Sequence, residues 1–275
     1  MLNKLLLYYL RRFPVDYGKN LVKDYVKLPS EKHNVEFKSP NGIMYYLDLT
    51  YHVMRCIYLM GIYERNTIRH LIKLINPGMT IVDVGANIGA YTLVLSKHLS
   101  GGQIYSFEPN PRTLKFLKKN IEINQVKNVN VIEFGLSDCE ETAMLNTPSL
   151  SQASINKFKT SDQVEAIKLI TLDKFCSENN INNIDILKID IEGHEKKCLD
   201  GSAGIIDKSK NIIIIMEIDQ NCYEAGYKKE FLFNYLINKG FTGFLPRGWP
   251  FKMKKITSFN ENYQDNIIFI KKDRS

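Results

Sequence analysis

The chain has 275 residues, of which 44% are hydrophobic, 24% charged and 11% aromatic. That composition excludes disordered, collagen-like and fibrous classes, and the length suits one α/β unit with additions rather than two equal domains. Net charge is +7, and it sits at the two ends: residues 1–30 carry six basic and two acidic side chains, residues 247–275 seven and three, and the middle is −1. Such ends suit a phosphate-bearing or membrane-presented partner, although solvated surface charge accounts for them equally well.

The N-terminus lacks the small-residue cleavage site and the basic-then-apolar order of a signal peptide. No apolar run reaches the ~20 residues of a membrane span. Cys56, Cys139, Cys176, Cys198 and Cys222 are odd in number and contain no Cys-x-x-Cys, which indicates neither a zinc site nor a disulfide framework. Reduced thiols in a cytoplasmic protein, or one peripheral to the inner membrane surface, are the expectation.

Residues 2–13 predict an amphipathic helix with Leu2, Leu6, Tyr9 and Phe13 on one side and Lys4 and Arg11 on the other, stopped by Pro14. Packing on its own domain or on a second copy is the preferred role for this stripe, with a membrane surface as the alternative. Two strand-like runs, 34–37 and 44–47, flank the turn signal Pro40-Asn41-Gly42. Residues 51–76 read as one helix ending at Pro77-Gly78. Residues 1–76 are therefore expected to form a helical and hairpin extension packing on a core domain of residues 77–275.

From residue 80 strands and helices alternate. Strands are predicted at 80–84, 103–107, 129–134, 184–189, 211–218, 241–245 and 266–270, and helices at 91–99, 111–124, 196–206 and 231–239. The polar stretch 142–162 reads as a hairpin or irregular insertion. This pattern predicts a mostly parallel sheet covered on both faces, with an antiparallel pair at one edge because the last two strands have no helix between them.

The first strand–helix turn reads Asp83-Val-Gly85-Ala86-Asn87-Ile-Gly89-Ala-Tyr91-Thr92. Glycines let the backbone approach a ligand, and the helix start offers free amides. The next strand ends in Phe107-Glu108-Pro109-Asn110, where a carboxylate can accept from both hydroxyls of a ribose. An adenosine-bearing ligand follows. The dinucleotide fingerprint G-x-G-x-x-G and the Walker A sequence are both missing, which argues against NAD and against nucleotide hydrolysis.

The Asp-x-Gly-x-Asn-x-Gly loop resembles the first motif of class I S-adenosylmethionine-dependent methyltransferases. Together with Phe107-Glu-Pro-Asn-Pro111, Gly135-Leu-Ser-Asp138, Leu187-Lys-Ile-Asp-Ile-Glu-Gly-His-Glu195, Asn266-Ile-Ile-Phe-Ile-Lys271 and the upstream segment 58–64, it resembles the FkbM family over about residues 50–271. The resemblance implies a Rossmann-like α/β fold with seven strands in the order 3-2-1-4-5-7-6, strand 7 antiparallel. It implies S-adenosylmethionine as cofactor, leaving S-adenosylhomocysteine, and O-methylation of a sugar, glycan or other small molecule. Carried over by position, Asp83, Gly85, Ala86, Asn87 and Gly89 surround the methionine part, with Tyr91 and Thr92 opening the helix beneath it. Glu108 holds the ribose, Pro109 and Asn110 flank the adenine, and Ser137 and Asp138 lie near its amine.

Removing an acceptor proton calls for a general base. Asp190 is the first choice to orient or deprotonate the acceptor. His194 is the second, because an imidazole titrates near neutral pH, and Glu192 lies between them. His194 and Glu195 can equally well be read as a helix start. Asp190, Glu192, Glu217 and Asp219 end neighbouring strands as hard oxygen donors that suit Mg²⁺, but no spacing enforces a site, and no metal is predicted. Trp249 and the hydroxyl-rich stretch Ser149 to Ser154 could face an acceptor, although an edge aromatic and an ordinary loop explain them as well. An RNA ribose methyltransferase is the first rival, opposed by the acidic Met216-Glu217-Ile218-Asp219 where a catalytic lysine is expected. A non-catalytic binding protein of the same fold is the second, opposed by the intact Glu108 and glycine loop.

Overall fold

A computed structural model describes residues 2–13, 18–147, 164–248, 252–261, 263 and 266–271. Helices α1 (Leu2–Arg12) and α2 (Lys19–Lys23) precede a hairpin of β1 (Val35–Lys38) and β2 (Met44–Leu47), then α3 (His52–Met60) and α4 (Arg65–Ile72). Two strand–helix steps follow: β3 (Thr80–Val84), α5 (Ala90–His98), β4 (Gln103–Phe107), α6 (Pro111–Ile123) and β5 (Val129–Ile132). A satellite sheet comes next, built from β6 (Gly135–Leu136), β7 (Glu141–Asn146) and β8 (Val164–Ile170). The chain continues through α7 (Leu172–Glu178), β9 (Ile186–Ile189), α8 (Glu195–Asp200), α9 (Ala203–Lys208) and β10 (Ile213–Met216). It ends with α10 (Asn221–Glu224), α11 (Lys229–Asn238), β11 (Thr242–Pro246), β12 (Met253–Ile256) and β13 (Ile267–Ile270).

The main sheet has the order β12-β11-β13-β10-β9-β3-β4-β5. β5, β4, β3, β9 and β10 run parallel, and β13 is antiparallel to both β10 and β11. This is the expected seven-strand order, with β12 added at the edge beyond β11. β12 escaped sequence reading because Lys254 and Lys255 occupy its exposed middle. Lysines there suit an edge strand, whose free backbone would otherwise invite another chain.

Side chains alternate across the sheet, and each face has its own core. Val82, Val84, Leu187, Ile189, Ile214 and Met216 pack on one side. Ile81, Ile186, Ile213, Ile215 and Ile268 pack on the other, together with the hairpin residues Phe37, Tyr45 and Leu47. Burial on both faces is what makes these strands continuous apolar runs. Asn120 joins the hairpin to the core helix, its Oδ1 accepting from Tyr46 N at 2.6 Å and its Nδ2 donating to Ile88 O at 3.0 Å.

Several elements differ from the sequence reading. The helix expected over 51–76 is two helices, broken where Gly61 (φ 78°) and Glu64 (φ 40°) take left-handed backbone. A Cβ on Gly61 would lie 2.6 Å from Pro40 Cδ, so the break is also a packing requirement. The helix expected over 196–206 is likewise split, into α8 and α9. At the junction, a Cβ on Gly201 would lie 1.9 Å from Ser137 O. α7 was missed, although Thr171 caps it by accepting from Lys174 N at 3.1 Å. The inward stripe of α1 is Leu6, Tyr9 and Leu10, whereas Leu2 and Phe13 are exposed. The 142–162 insertion contains β7, which pairs antiparallel with β8. Residues 148–163, with Ser149 and Ser154, lie outside the described residues, as does Trp249.

Candidate active site

Five parallel strands end along one rim, and the cavity there measures about 620 Å³. Clefts at the carboxyl ends of such strands are where α/β sheets place ligands, and this volume suits a small-molecule site.

The cavity floor is the turn after β3. Gly85 holds φ 73°, and a Cβ on it would fall 2.0 Å from Asp190 O, so only glycine lets the ends of β3 and β9 come together. The amides of Gly85 and Ala86 both donate to Phe107 O at 3.0 Å, which draws the loop over the end of β4. Asn87 also holds left-handed backbone (φ 52°), and its N–H donates to Glu108 Oε2 at 2.8 Å. Asn110 N donates to the other oxygen, Oε1, at 2.9 Å. Glu108 is thus buried and gripped by one amide on each oxygen. Burial pushes its carboxyl up, against the pull of those N–H donors and of a hydrogen bond from the Thr113 side chain.

Asn110 starts α6, with Oδ1 accepting from Arg112 N at 3.0 Å and Pro111 at the first helical position. Its Nδ2 is buried with no partner among the described residues, and the residue lines the cavity. An unpaired buried amide is costly, so a ligand acceptor is wanted at this point.

A charged network occupies the other end. Lys188 stands in the all-buried strand β9, with Nζ 3.2 Å from Asp190 Oδ2 and 3.5 Å from Asp83 Oδ1, and it donates to Gly85 O at 3.2 Å. Burial opposes its charge, but Asp190, Asp83 and Glu64 outweigh that effect and hold the ammonium protonated. Asp83 also accepts from Thr92 Oγ1 at 2.6 Å. Glu64 accepts from Tyr91 Oη and from Asn266 Nδ2, the latter at 2.6 Å. Burial, with Asp190 adding repulsion, pushes Glu64 up to about 7. Glu217 is pushed up to about 10, mainly by burial and then by Asp190, to which it is hydrogen-bonded. At neutral pH Glu217 therefore carries a proton, and Asp190 is the side chain that faces both Lys188 and the cavity.

Beyond Asp190 the chain turns through Glu192 (φ 54°) and Gly193. Asn221 Nδ2 donates to Glu192 Oε2 and Asp219 Oδ2, both at 2.5 Å. Glu195 ties this loop by accepting from the amides of Ile191 and Gly193 and from Tyr227 Oη. His194 lines the cavity with Nε2 3.0 Å from Ser137 Oγ. Burial, with Lys197 adding to it, lowers its imidazole to about 4, so it is neutral at physiological pH rather than titrating near 7.

Of the residues singled out from sequence, Gly85, Ala86, Asn87, Tyr91, Glu108, Pro109, Asn110, Asp190, Glu192 and His194 line this one cavity. Asp83 and Thr92 are fully buried and support the loop, and Gly89 starts α5. Ser137 reaches the cavity only through His194, and Asp138 is partly exposed and 3.6 Å from Lys197. Sequence reading assigned no role to Lys188, Tyr63 or His52, which also line the cavity. A lysine inside an apolar strand is the signal that marks Lys188. Glu64 was quoted only as part of the upstream segment. Among the described residues no group of three or more His, Cys, Asp or Glu is placed to hold a metal ion.

The Methyltransferase FkbM domain profile matches residues 83–242. The chain is 26% identical over 152 residues to the hexuronic acid methyltransferase AglP of Haloferax volcanii, covering 55% of this chain and 61% of that protein. It is 21% identical over 199 residues to the 2-O-methyltransferase NoeI of Sinorhizobium fredii, covering 66% of this chain and 80% of that one. In the first of these matches the chain spans about three fifths of the relative's length. The crystal structure of an FkbM methyltransferase from Methylobacillus flagellatus superposes with TM-score 0.50 at 15% identity, covering 82% of this chain and 54% of the other, a likeness of fold. With the profile matching more than half of its residues, the chain belongs to the FkbM methyltransferase domain family.

Proposed function

We propose that this protein transfers a methyl group from S-adenosylmethionine to a hydroxyl of a sugar or glycan. The observation that carries the reading is the pairing of two ends in one cavity. At one end lie Glu108, held by two backbone amides, and the unpaired Nδ2 of Asn110. At the other lies Asp190 beside Lys188. The Glu108 carboxylate accepts from the amides of Asn87 and Asn110 and from the Thr113 side chain, and keeps acceptor capacity for a ribose hydroxyl. Asn110 Nδ2 suits a ring nitrogen of adenine. The family, the hexuronic acid methyltransferase AglP and the 2-O-methyltransferase NoeI support the same reading.

Bound S-adenosylmethionine supplies a methyl group on a sulfonium, open to in-line attack. The chain's own residues do the remaining work. Gly85, Ala86 and Asn87 present backbone against the ligand. Asp190 accepts a hydrogen bond from the acceptor hydroxyl and takes its proton as the oxygen becomes an ether. Lys188 holds the Asp190 carboxylate in place. Protonated Glu217 donates a hydrogen bond to the same side chain. His194, neutral and bonded to Ser137, shapes the wall.

The test is transfer of labelled methyl to a panel of neutral hexoses, deoxyhexoses and hexuronates. Because a hexuronate offers both a carboxylate and hydroxyls, the product is then treated with mild base. Base-stable label is expected, as for a methyl ether. Base-labile label would move the reaction to a carboxylate, and no label on any sugar would remove the sugar assignment.

A further inference from the structure

The outer face of α1 is apolar, although its inner face is already anchored. Leu10 is fully buried on the inner side, and Asn3 exchanges two hydrogen bonds of 2.9 Å with the backbone of Lys27. The buried guanidinium of Arg65 donates to Leu10 O at 2.8 Å and Phe13 O at 3.0 Å. Those contacts fix which side faces out. On that side Leu2, Leu5 and Tyr8, spaced three apart, are 69%, 57% and 69% exposed. In the adjoining segment Leu21 and Tyr25 are 74% and 76% exposed, and Phe13 between the two is exposed as well. Lys4, Arg12 and Lys27 are exposed beside them. A folded protein rarely leaves so many large apolar side chains in water within so short a stretch without a partner.

We propose that this N-terminal face docks on an anionic lipid surface. Apolar side chains flanked by lysine and arginine are the arrangement that lies in a bilayer interface, the rings and leucines entering the acyl boundary and the cations meeting headgroups. Charge selects the bilayer over a second copy of the chain. A two-fold interface through this face would set the exposed Lys4, Arg12 and Lys27 against their own copies, with Asp24 the only exposed acid among the described residues before 30. An anionic bilayer supplies the missing sign. The anchored face connects directly to the active-site wall: Arg11 donates to Tyr58 O at 2.8 Å, and the α3–α4 corner that follows carries Tyr63 into the cavity. The docked orientation would therefore be transmitted to the cavity. The inference does not depend on methyl transfer, because binding is read without turnover.

The experiment is flotation of the full chain with vesicles of phosphatidylcholine alone and of phosphatidylcholine with phosphatidylglycerol. Flotation on the anionic vesicles only, weakened by salt, is expected. The double variant Leu5→Glu, Tyr8→Glu should lose at least about tenfold in vesicle affinity while its melting temperature and S-adenosylhomocysteine binding stay unchanged. Failure of the wild-type chain to float on anionic vesicles would overturn the proposal, as would flotation unaffected by the double variant. A dimer in sedimentation equilibrium that the double variant dissolves, without flotation, would assign the face to a second copy instead.

Discussion

Asn87 N–H donates to Glu108 Oε2 at 2.8 Å and so fastens the loop after the first core strand to the carboxylate after the second. The bond lets one ligand report on both motifs. It also gives Glu108 a structural role beside its proposed binding role, which dictates the choice of substitution below.

Glu108→Gln keeps the size and one acceptor oxygen but removes the charge that strengthens hydrogen bonds from ribose hydroxyls. Charge-assisted bonds of this type contribute about 1.5–3 kcal/mol, so the dissociation constant for S-adenosylhomocysteine should rise about 10- to 100-fold. Calorimetric titration of the variant, with its melting temperature recorded alongside, measures this. An unchanged affinity would remove Glu108 from the ligand site.

Asp190→Asn leaves a group of the same shape beside Lys188 but cannot accept a full proton. Turnover should fall by about 10²- to 10⁴-fold, while cofactor affinity changes only a few-fold. Single-turnover methyl transfer separates the two effects. Normal turnover in this variant would show that the proton leaves by another route.

The raised carboxyls predict a pH dependence of stability. Glu217 has a folded value of about 10 against an ordinary 4.5, so above pH 5 the folded chain holds a proton that the unfolded chain has lost. Stability from this group is complete below about pH 4.5 and falls as pH rises toward 10. Glu64 acts in the same direction over the narrower span up to about 7. His194 acts oppositely, because its folded value of about 4 lies below its ordinary 6.5, and its effect is confined to pH below that. Between pH 7 and 9 the carboxyl trend therefore stands alone among these three groups. The melting temperature of the wild type should drop across that window, and Glu217→Gln should flatten the drop. An equally steep drop in the variant would place the proton elsewhere.

Gly85→Ala should be among the most damaging small substitutions in the chain. The added Cβ would sit 2.0 Å from Asp190 O, on a residue with φ 73°. A cost of about 3 kcal/mol or more is expected from strain and displaced backbone. Thermal unfolding with and without S-adenosylhomocysteine measures it. A variant as stable and as well bound as the wild type would contradict the close approach of β3 and β9.

The sheet and the Glu108 end of the cavity were legible in the sequence because their signals are local. Buried parallel strands write themselves as runs such as Ile212 to Ile215, and the turns at Gly85 and Glu108 carry their chemistry within a few residues. The Asp190 end was less legible because it is assembled from distant segments. Glu64 and Asn266 are 202 positions apart, yet they share a hydrogen bond. The place of Asp190 on the cavity follows from its position after a strand, but the proton on Glu217 depends on burial, which no spacing reveals. Helix breaks at Gly61 and Gly201 were missed for a related reason. At both, atoms from elsewhere in the fold, Pro40 and Ser137, leave no room for a side chain, a requirement that the local sequence does not show.

The most direct test of the account is calorimetric titration of the purified chain with S-adenosylmethionine, S-adenosylhomocysteine and NAD in separate experiments. Binding of the first two in the micromolar range, with none of NAD, is the predicted result. Silence toward both S-adenosyl compounds by a folded protein would contradict the assignment of Glu108 and Asn110 to an adenosine site and, with it, the proposed methyl transfer.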